Sequence, residues 1–147
     1  MRVYSFLNTV ILINGVEITG ASEGDDVIDI ARRNDAASDQ IGAGGNMMVS
    51  LSADKSGTVK FKLQATSSSN GFLSKLCGQQ DGGSDSFVPI SIKFQDTYRQ
   101  DTAEGTVGYV KKHADIKRGS KAGEQEWEVI VERLDMLLGD QADVVAV

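Results

Sequence analysis

An all-β fold, either a β-sandwich or a partly closed β-barrel carrying one short α-helix, is predicted by three features of this sequence. Apolar and polar residues alternate in several separate stretches, as in "VKFKL" and "EWEVIVE", the period-2 pattern of half-buried strands. Glycine is abundant at 16 residues while proline occurs once, which suits many strands joined by frequent bends. Helical spacing is confined to a short stretch around "GFLSKL".

The elements follow in order. Val10–Ile13 and Val16–Ile18 flank Asn14-Gly15, the dipeptide best suited to the positive φ angles of a two-residue turn, so the chain opens with a hairpin. "GDDVIDIARR" alternates, with Val27 and Asp29 on one side and Ile28 and Ile30 on the other. Residues 33–46 are rich in Gly, Asn, Asp, Ala and Ser and exceed the usual connection, which marks a long functional loop. "NMMVSLSAD" and "TVKFKLQ" surround Asp54-Lys55-Ser56-Gly57 and read as a second hairpin, with Val59, Phe61 and Leu63 inward and Lys60 and Lys62 outward. Ser69 or Asn70 caps a helix of about two turns whose Phe72, Leu73 and Leu76 share a face.

Beyond the polar "GQQDGGSDS", strands are expected in "FVPISIKFQD" and "GTVGYVKKHADI", with Pro89 near a strand start or edge. "KRGSKAGEQ" is a basic turn, and "EWEVIVERLDMLLG" places Trp127, Val129 and Val131 opposite Glu126, Glu128 and Glu132. Residues 140–147 are expected to be a tail that a neighbour orders. Seven or so strands and 147 residues make one domain, spanning 1–147, that buries roughly two-thirds of its unfolded surface.

Charge and chemistry exclude more than they suggest. A formal net charge of −6 argues against sequence-independent nucleic-acid binding, which needs a concentrated positive field. Cys77 is alone, so an intramolecular disulfide is excluded and a reducing compartment suits the chain. Asn8, Asn14 and Glu17 interrupt the N-terminal apolar run, so neither a signal peptide nor a membrane span is expected. The one histidine, His113, sits at a strand end away from any nucleophile motif, and an enzyme is not expected. "GAGGN" has no Gly-Lys-Ser/Thr after it, and "EGDD" and "NDAASDQ" have no calcium-loop spacing, so no cofactor or metal site is assigned. Lys111, Lys112, Lys117, Arg118 and Lys121 form the main basic cluster.

Taken as an ordered series, "YSF", "DDVIDIARR", "IGAGGNMMVSLSADKSGTVKFKLQATSSSNGFLSKL" and "EWEVIVERLDMLLG" resemble the tail tube proteins of bacteriophages with contractile or long tails, over residues 4–139. The resemblance implies a structural subunit of a virion tail, assembled in the host bacterial cytoplasm. Six copies would form a ring, and rings would stack into a tube through which double-stranded DNA and tape-measure protein pass. Sheath, baseplate and tail terminator proteins are the implied partners, with no membrane. It implies that the long loop contacts the adjacent ring through Arg33, Asn34, Asp35, Asp39, Gln40, Ile41, Gly42, Gly44, Gly45 and Asn46. A lumen that lets DNA slide should be neutral or acidic, and alternation offers Asp29, Ser50, Ser52, Glu126 and Glu128 for it. Alternatives are a tube subunit of a phage-tail-like secretion or injection machine, or a non-catalytic ligand-binding β-module, the latter short of surface aromatics.

Overall fold

Nine strands and one helix make up the computed structural model, which describes residues 4–24 and 27–139. After a 3-10 turn at Phe6–Asn8 come β1 (Thr9–Ile13), β2 (Val16–Glu17), β3 (Ile28–Arg32), β4 (Ala37–Ile41), β5 (Met47–Leu51), β6 (Gly57–Gln64) and α1 (Ser69–Asp81). β7 (Ile90–Asp96), β8 (Thr102–Lys112) and β9 (Glu124–Leu137) complete the chain. Seven strands form one sheet in the order β2-β1-β7-β8-β9-β6-β3, and β4 pairs only with β5 in a separate ribbon. The neighbouring pairs of the seven-stranded sheet are antiparallel.

The large sheet curls without closing. Ile11 and Ile13 on β1 share a core cluster with Val59, Phe61 and Leu63 on β6, although three strands lie between them in the sheet. Only a strongly curved sheet brings such positions together, and the unpaired edges are β2 and β3. This is the partly closed barrel among the expected architectures. The helix fills the concave side with Leu73 and Cys77 buried, and Phe72 and Leu76 pack against the core as the sequence spacing predicts. It runs 13 residues, longer than the two turns expected.

Polar side chains lock the helix to the strands. Ser68 precedes α1 without a side-chain capping bond, so the expected cap at Ser69 or Asn70 is not where the helix starts. Both residues instead reach neighbouring elements. Ser69 Oγ accepts from Thr19 N–H at 2.9 Å, and Asn70 Oδ1 accepts from the Trp127 indole N–H at 2.9 Å. Asn70 Nδ2 also donates to the Gln64 carbonyl at 2.9 Å. At the far end, Gln80 donates to the Val110 carbonyl at 2.8 Å and accepts from Val110 N–H at 3.0 Å. Those groups lie where β8 bulges against β9, the register stepping from Val110–Val129 to Lys112–Glu128. The pairing of β8 with β7 ends at Ile90–Gly108, so Gln80 bonds the Val110 backbone beyond the point where that ladder stops.

Asn14 and Gly15 have φ of 51° and 81°, the left-handed pair of a type I′ turn, as expected. The second expected hairpin is not formed: β5 pairs with β4, while β6 lies between β3 and β9. Residues 33–46 are accordingly not a structureless loop, because half of the β4–β5 ribbon comes from them. Residues 140–147, expected as a tail, lie outside the described residues.

Along β9, Gln125, Trp127, Val129 and Val131 are buried in alternation, then Ile130 and Leu134 break the pattern. Glycines on both flanks make room at that break. A Cβ on Gly105 would lie 2.7 Å from Val131 Cγ1, and one on Gly108 would lie 2.8 Å from the Ile130 carbonyl oxygen. On the other side, a Cβ on Gly57 would overlap Leu134. Since the Gly108 clash is with backbone, it cannot be relieved by a rotamer change. Gly108→Ala is expected to destabilise the protein by about 1–3 kcal/mol, the usual cost of overpacking. Urea denaturation checks this, and an unchanged midpoint would contradict the packing described.

Candidate assembly surfaces

The β4–β5 ribbon is held at its base by one carboxylate. Asp54 Oδ1 accepts from Ser56 N–H at 2.9 Å and from the Ser56 hydroxyl at 2.6 Å, and Asp54 Oδ2 accepts from the Asn34 side-chain amide. Asn34 follows β3 and Ser56 precedes β6, so Asp54 ties the entering and leaving strands together. The "DKSG" sequence does have turn chemistry, but it leads from the ribbon into the sheet without closing a hairpin, since β5 and β6 do not pair. Around it, Arg33 N–H donates to the Ser56 carbonyl at 3.1 Å and Leu134 N–H to the Lys55 carbonyl at 2.8 Å. Arg32 donates to the Leu134 carbonyl at 3.0 Å. The hydrogen bonds from Ser56, side chain first and backbone second, hold the Asp54 carboxyl below its ordinary value, with Asn34 and Arg33 adding to the effect.

Beyond this base the ribbon carries apolar side chains into solvent. Ile41, Met47, Met48, Val49 and Leu51 are between 59% and 82% exposed. A two-stranded ribbon is marginally stable in water, and burying a side chain of this kind fully stabilises by about 1.5–3 kcal/mol. The sequence does hold a signal for this. In "NMMVSL" Met47, Val49 and Leu51 alternate onto one face and leave Met48 alone on the other, an apolar face that the single chain does not cover.

The expected contact residues distribute along this projection. Arg33, Asn34 and Asp35 lie in its base, Asp39, Gln40 and Ile41 on β4, and Gly42, Gly44, Gly45 and Asn46 in the turn, where Gly42 N–H donates to the Asn46 carbonyl at 2.8 Å. Ser50 on β5 and Ser52 just beyond it belong to this projection too, so the structure separates them from the other residues proposed for a lumen.

Asp29, Glu126 and Glu128 do share a face, the polar side of the large sheet. Asp29 is in register with Lys60, Lys60 with Glu128, and Glu128 with Lys112, so opposite charges alternate across β3, β6, β9 and β8. Lys62 stands opposite Glu126 in the same way. Glu128 also pairs with Lys111 at 3.5 Å, and Lys93 with Glu104 at 3.6 Å further along. Exposed pairs of this kind contribute little stability. Their effect is to cancel local field, leaving a hydrophilic surface without a concentrated charge of either sign.

Reactive groups are spent on structure. His113 Nδ1 lies 2.7 Å from the Ala114 carbonyl and Nε2 lies 2.9 Å from Ser74 Oγ, with its ring 4.8 Å from that of Trp127. Cys77 is a buried free thiol, pushed up in pKa by burial and then by Asp81. Among the described residues no group of three or more His, Cys, Asp or Glu is placed to hold a metal ion.

A curled open sheet, an apolar projection and a charge-balanced polar face define a structural subunit built to assemble. The same fold occurs in known assemblies. A chain of the PVC extracellular contractile injection system sheath–tube complex, in its extended state, superposes with a TM-score of 0.59 at 10% identity, covering 88% of this chain and 88% of that one. A chain of the PVC sheath/tube terminator gives 0.62 at 10% identity, covering 93% and 98%. A chain of the anti-feeding prophage cap gives 0.60 at 9% identity, covering 95% and 93%. No curated protein matches by sequence. The chain belongs to the family described as Bacteriophage PhiTE tail tube protein, which matches residues 1–139. It is thus a structural, non-enzymatic component of a virion tail.

The Asp54 clamp yields a pH dependence whose sign is fixed. Its lowered folded-state pKa means that the clamp's contribution is present above the ordinary carboxylate value and is lost as pH falls through the folded-state value. Asp54→Ala is expected to speed amide exchange at residues 33–36 and 52–56 at neutral pH while leaving β6, β8 and β9 protected. Acidifying the wild type should reproduce that local change. Uniform loss of protection over the whole sheet would show that Asp54 is not a local clamp.

Proposed function

We propose that this protein is the repeating subunit of a phage tail tube, in which copies form hexameric rings that stack around a lumen for double-stranded DNA. The observation that carries the reading is the β4–β5 ribbon, five of whose apolar side chains stay in solvent. The residues singled out for ring contact, 33–46, are the base, first strand and turn of this ribbon, and β5 adds Met47, Met48, Val49 and Leu51. The chain acts as one tail tube domain, with the tube terminator at the end of the stack and a sheath around it where the tail contracts. Tape-measure and baseplate proteins complete the set, and assembly takes place in the host cytoplasm.

The polar sheet face suits a lumen wall. Each phosphate neutralised by a fixed lysine adds a salt-dependent grip, and on that face Lys111 is ion-paired with Glu128 while Lys60 and Lys62 stand in register with Glu128 and Glu126, which offsets their positive field. Asp29, Glu126 and Glu128 are the residues assigned to it. Ser50 and Ser52, also offered for the lumen, go with the ring contact.

Two outcomes test this. Replacing residues 35–52 by a short glycine linker should leave a folded chain, judged by its Trp127 near-ultraviolet signal, that forms no tubes by negative-stain microscopy. Tubes from that variant would overturn the role of the ribbon. Assembled wild-type tubes should retain no duplex DNA at low salt, whereas Glu126→Lys with Glu128→Lys should retain it until salt is raised. Tight retention by the wild type would overturn the lumen assignment.

A further inference from the structure

Like the ribbon largely apolar, a groove of about 770 Å³ lies where the sheet fails to close. Its walls come from the edge strand β3, through Ile28 and Ile30, and from Phe94 on β7, Met136 at the end of β9, Leu138 just beyond it and Phe6 before β1. Ile28, Ile30 and Phe94 form its floor, packed against the core. Met136 and Leu138 form an exposed lip, with Leu138 82% in solvent.

We propose that this groove receives the β4–β5 ribbon of a second copy of the same chain. Several observations select that occupant. Ile41, Met47, Val49 and Leu51 share one face of the ribbon, with Met48 on the other beside Gln40, and Asp39 is the single charged residue between Ala37 and Leu51, so little of the ribbon's charge must be stripped of water on entering a groove whose lining is mostly apolar, with Glu23 and Asp101 its charged members. A volume of this size takes several side chains, and none of the ribbon's residues lines the groove within its own molecule. A projection and a receiving pocket at different places on one surface make a heterologous contact, which generates rings or open stacks instead of closed two-fold dimers. That is the contact a tube subunit needs. The inference therefore rests on the tube reading and adds the receiving surface to it.

The test uses two exposed variants chosen to spare the fold. The ribbon variant is Met48→Asp with Leu51→Asp, and the groove variant is Met136→Glu with Leu138→Glu; circular dichroism and thermal melting verify that each folds. Sedimentation velocity across a concentration series should show each variant needing at least tenfold more protein than the wild type to form multimers. Mixed, the two should form heterodimers, because one supplies an intact ribbon and the other an intact groove. A groove variant that assembles as the wild type does, or a mixture that stays monomeric, overturns the groove as receiver and leaves the tube reading standing. A wild type that stays monomeric at every concentration overturns the tube reading itself.

As a second readout, Met48→Cys with Leu138→Cys in a Cys77→Ala background should give a ladder of covalent multimers on oxidation. Either single cysteine should give dimers at most. Assembled protein that yields no ladder overturns the contact.

Discussion

Four residues of β9, from Val131 to Leu134, hold together two features that would otherwise be unrelated. On the core side, Val131 and Leu134 occupy space that exists because Gly57, Gly105 and Gly108 have no Cβ, which lets β9 change its burial phase without leaving the sheet. On the other side, the Leu134 backbone accepts from Arg32 and donates to Lys55, the residues that flank the base of the ribbon. The core and the projection are thus fastened to the same short piece of backbone. A change that shifts this segment should move the ribbon as well as loosen the core.

The ribbon is the part of the molecule that folding leaves unfinished. Its own ladder satisfies the facing backbone groups of β4 and β5, and the Asp54 clamp fixes its base, but its side chains find no cover among the described residues of its own chain. Exposed apolar surface on a two-stranded element is an aggregation hazard unless a specific partner covers it. In the proposed assembly that hazard becomes the contact, because every copy presents the same projection and the same groove. The large sheet contributes the complementary property, a polar face on which opposite charges stand across from one another in register.

Local signals were legible in the sequence, and long-range pairing was not. Asn14-Gly15 announces its turn through backbone preference alone, and "TVKFKLQ" and "EWEVIVE" announce their buried faces through alternation. The same alternation placed Asp29, Glu126 and Glu128 outward. It could not show that β6 pairs with β9 across the whole of α1, β7 and β8, since each strand's pattern is compatible with many neighbours. Asp54-Lys55-Ser56-Gly57 misled for a related reason: an aspartate that accepts from the residue two positions on looks the same whether it closes a hairpin or fastens its base. Residues 33–46 read as a loop because serine, aspartate and glycine are poor strand formers, and β4 exists through its pairing with β5. Ser69 and Asn70 read as caps and Gln80 as part of a polar loop, while the partners they reach on other elements were invisible from sequence.

The central claim is that the ribbon is completed by a neighbouring copy. Hydrogen–deuterium exchange on isolated chains and on assembled tubes tests it most directly. Assembly should slow exchange at residues 37–51 and at the groove lip around 136–138, with little change at β6 and the middle of β9, which are protected in both states. Exchange at 37–51 that is as fast in the tube as in the isolated chain would contradict the account.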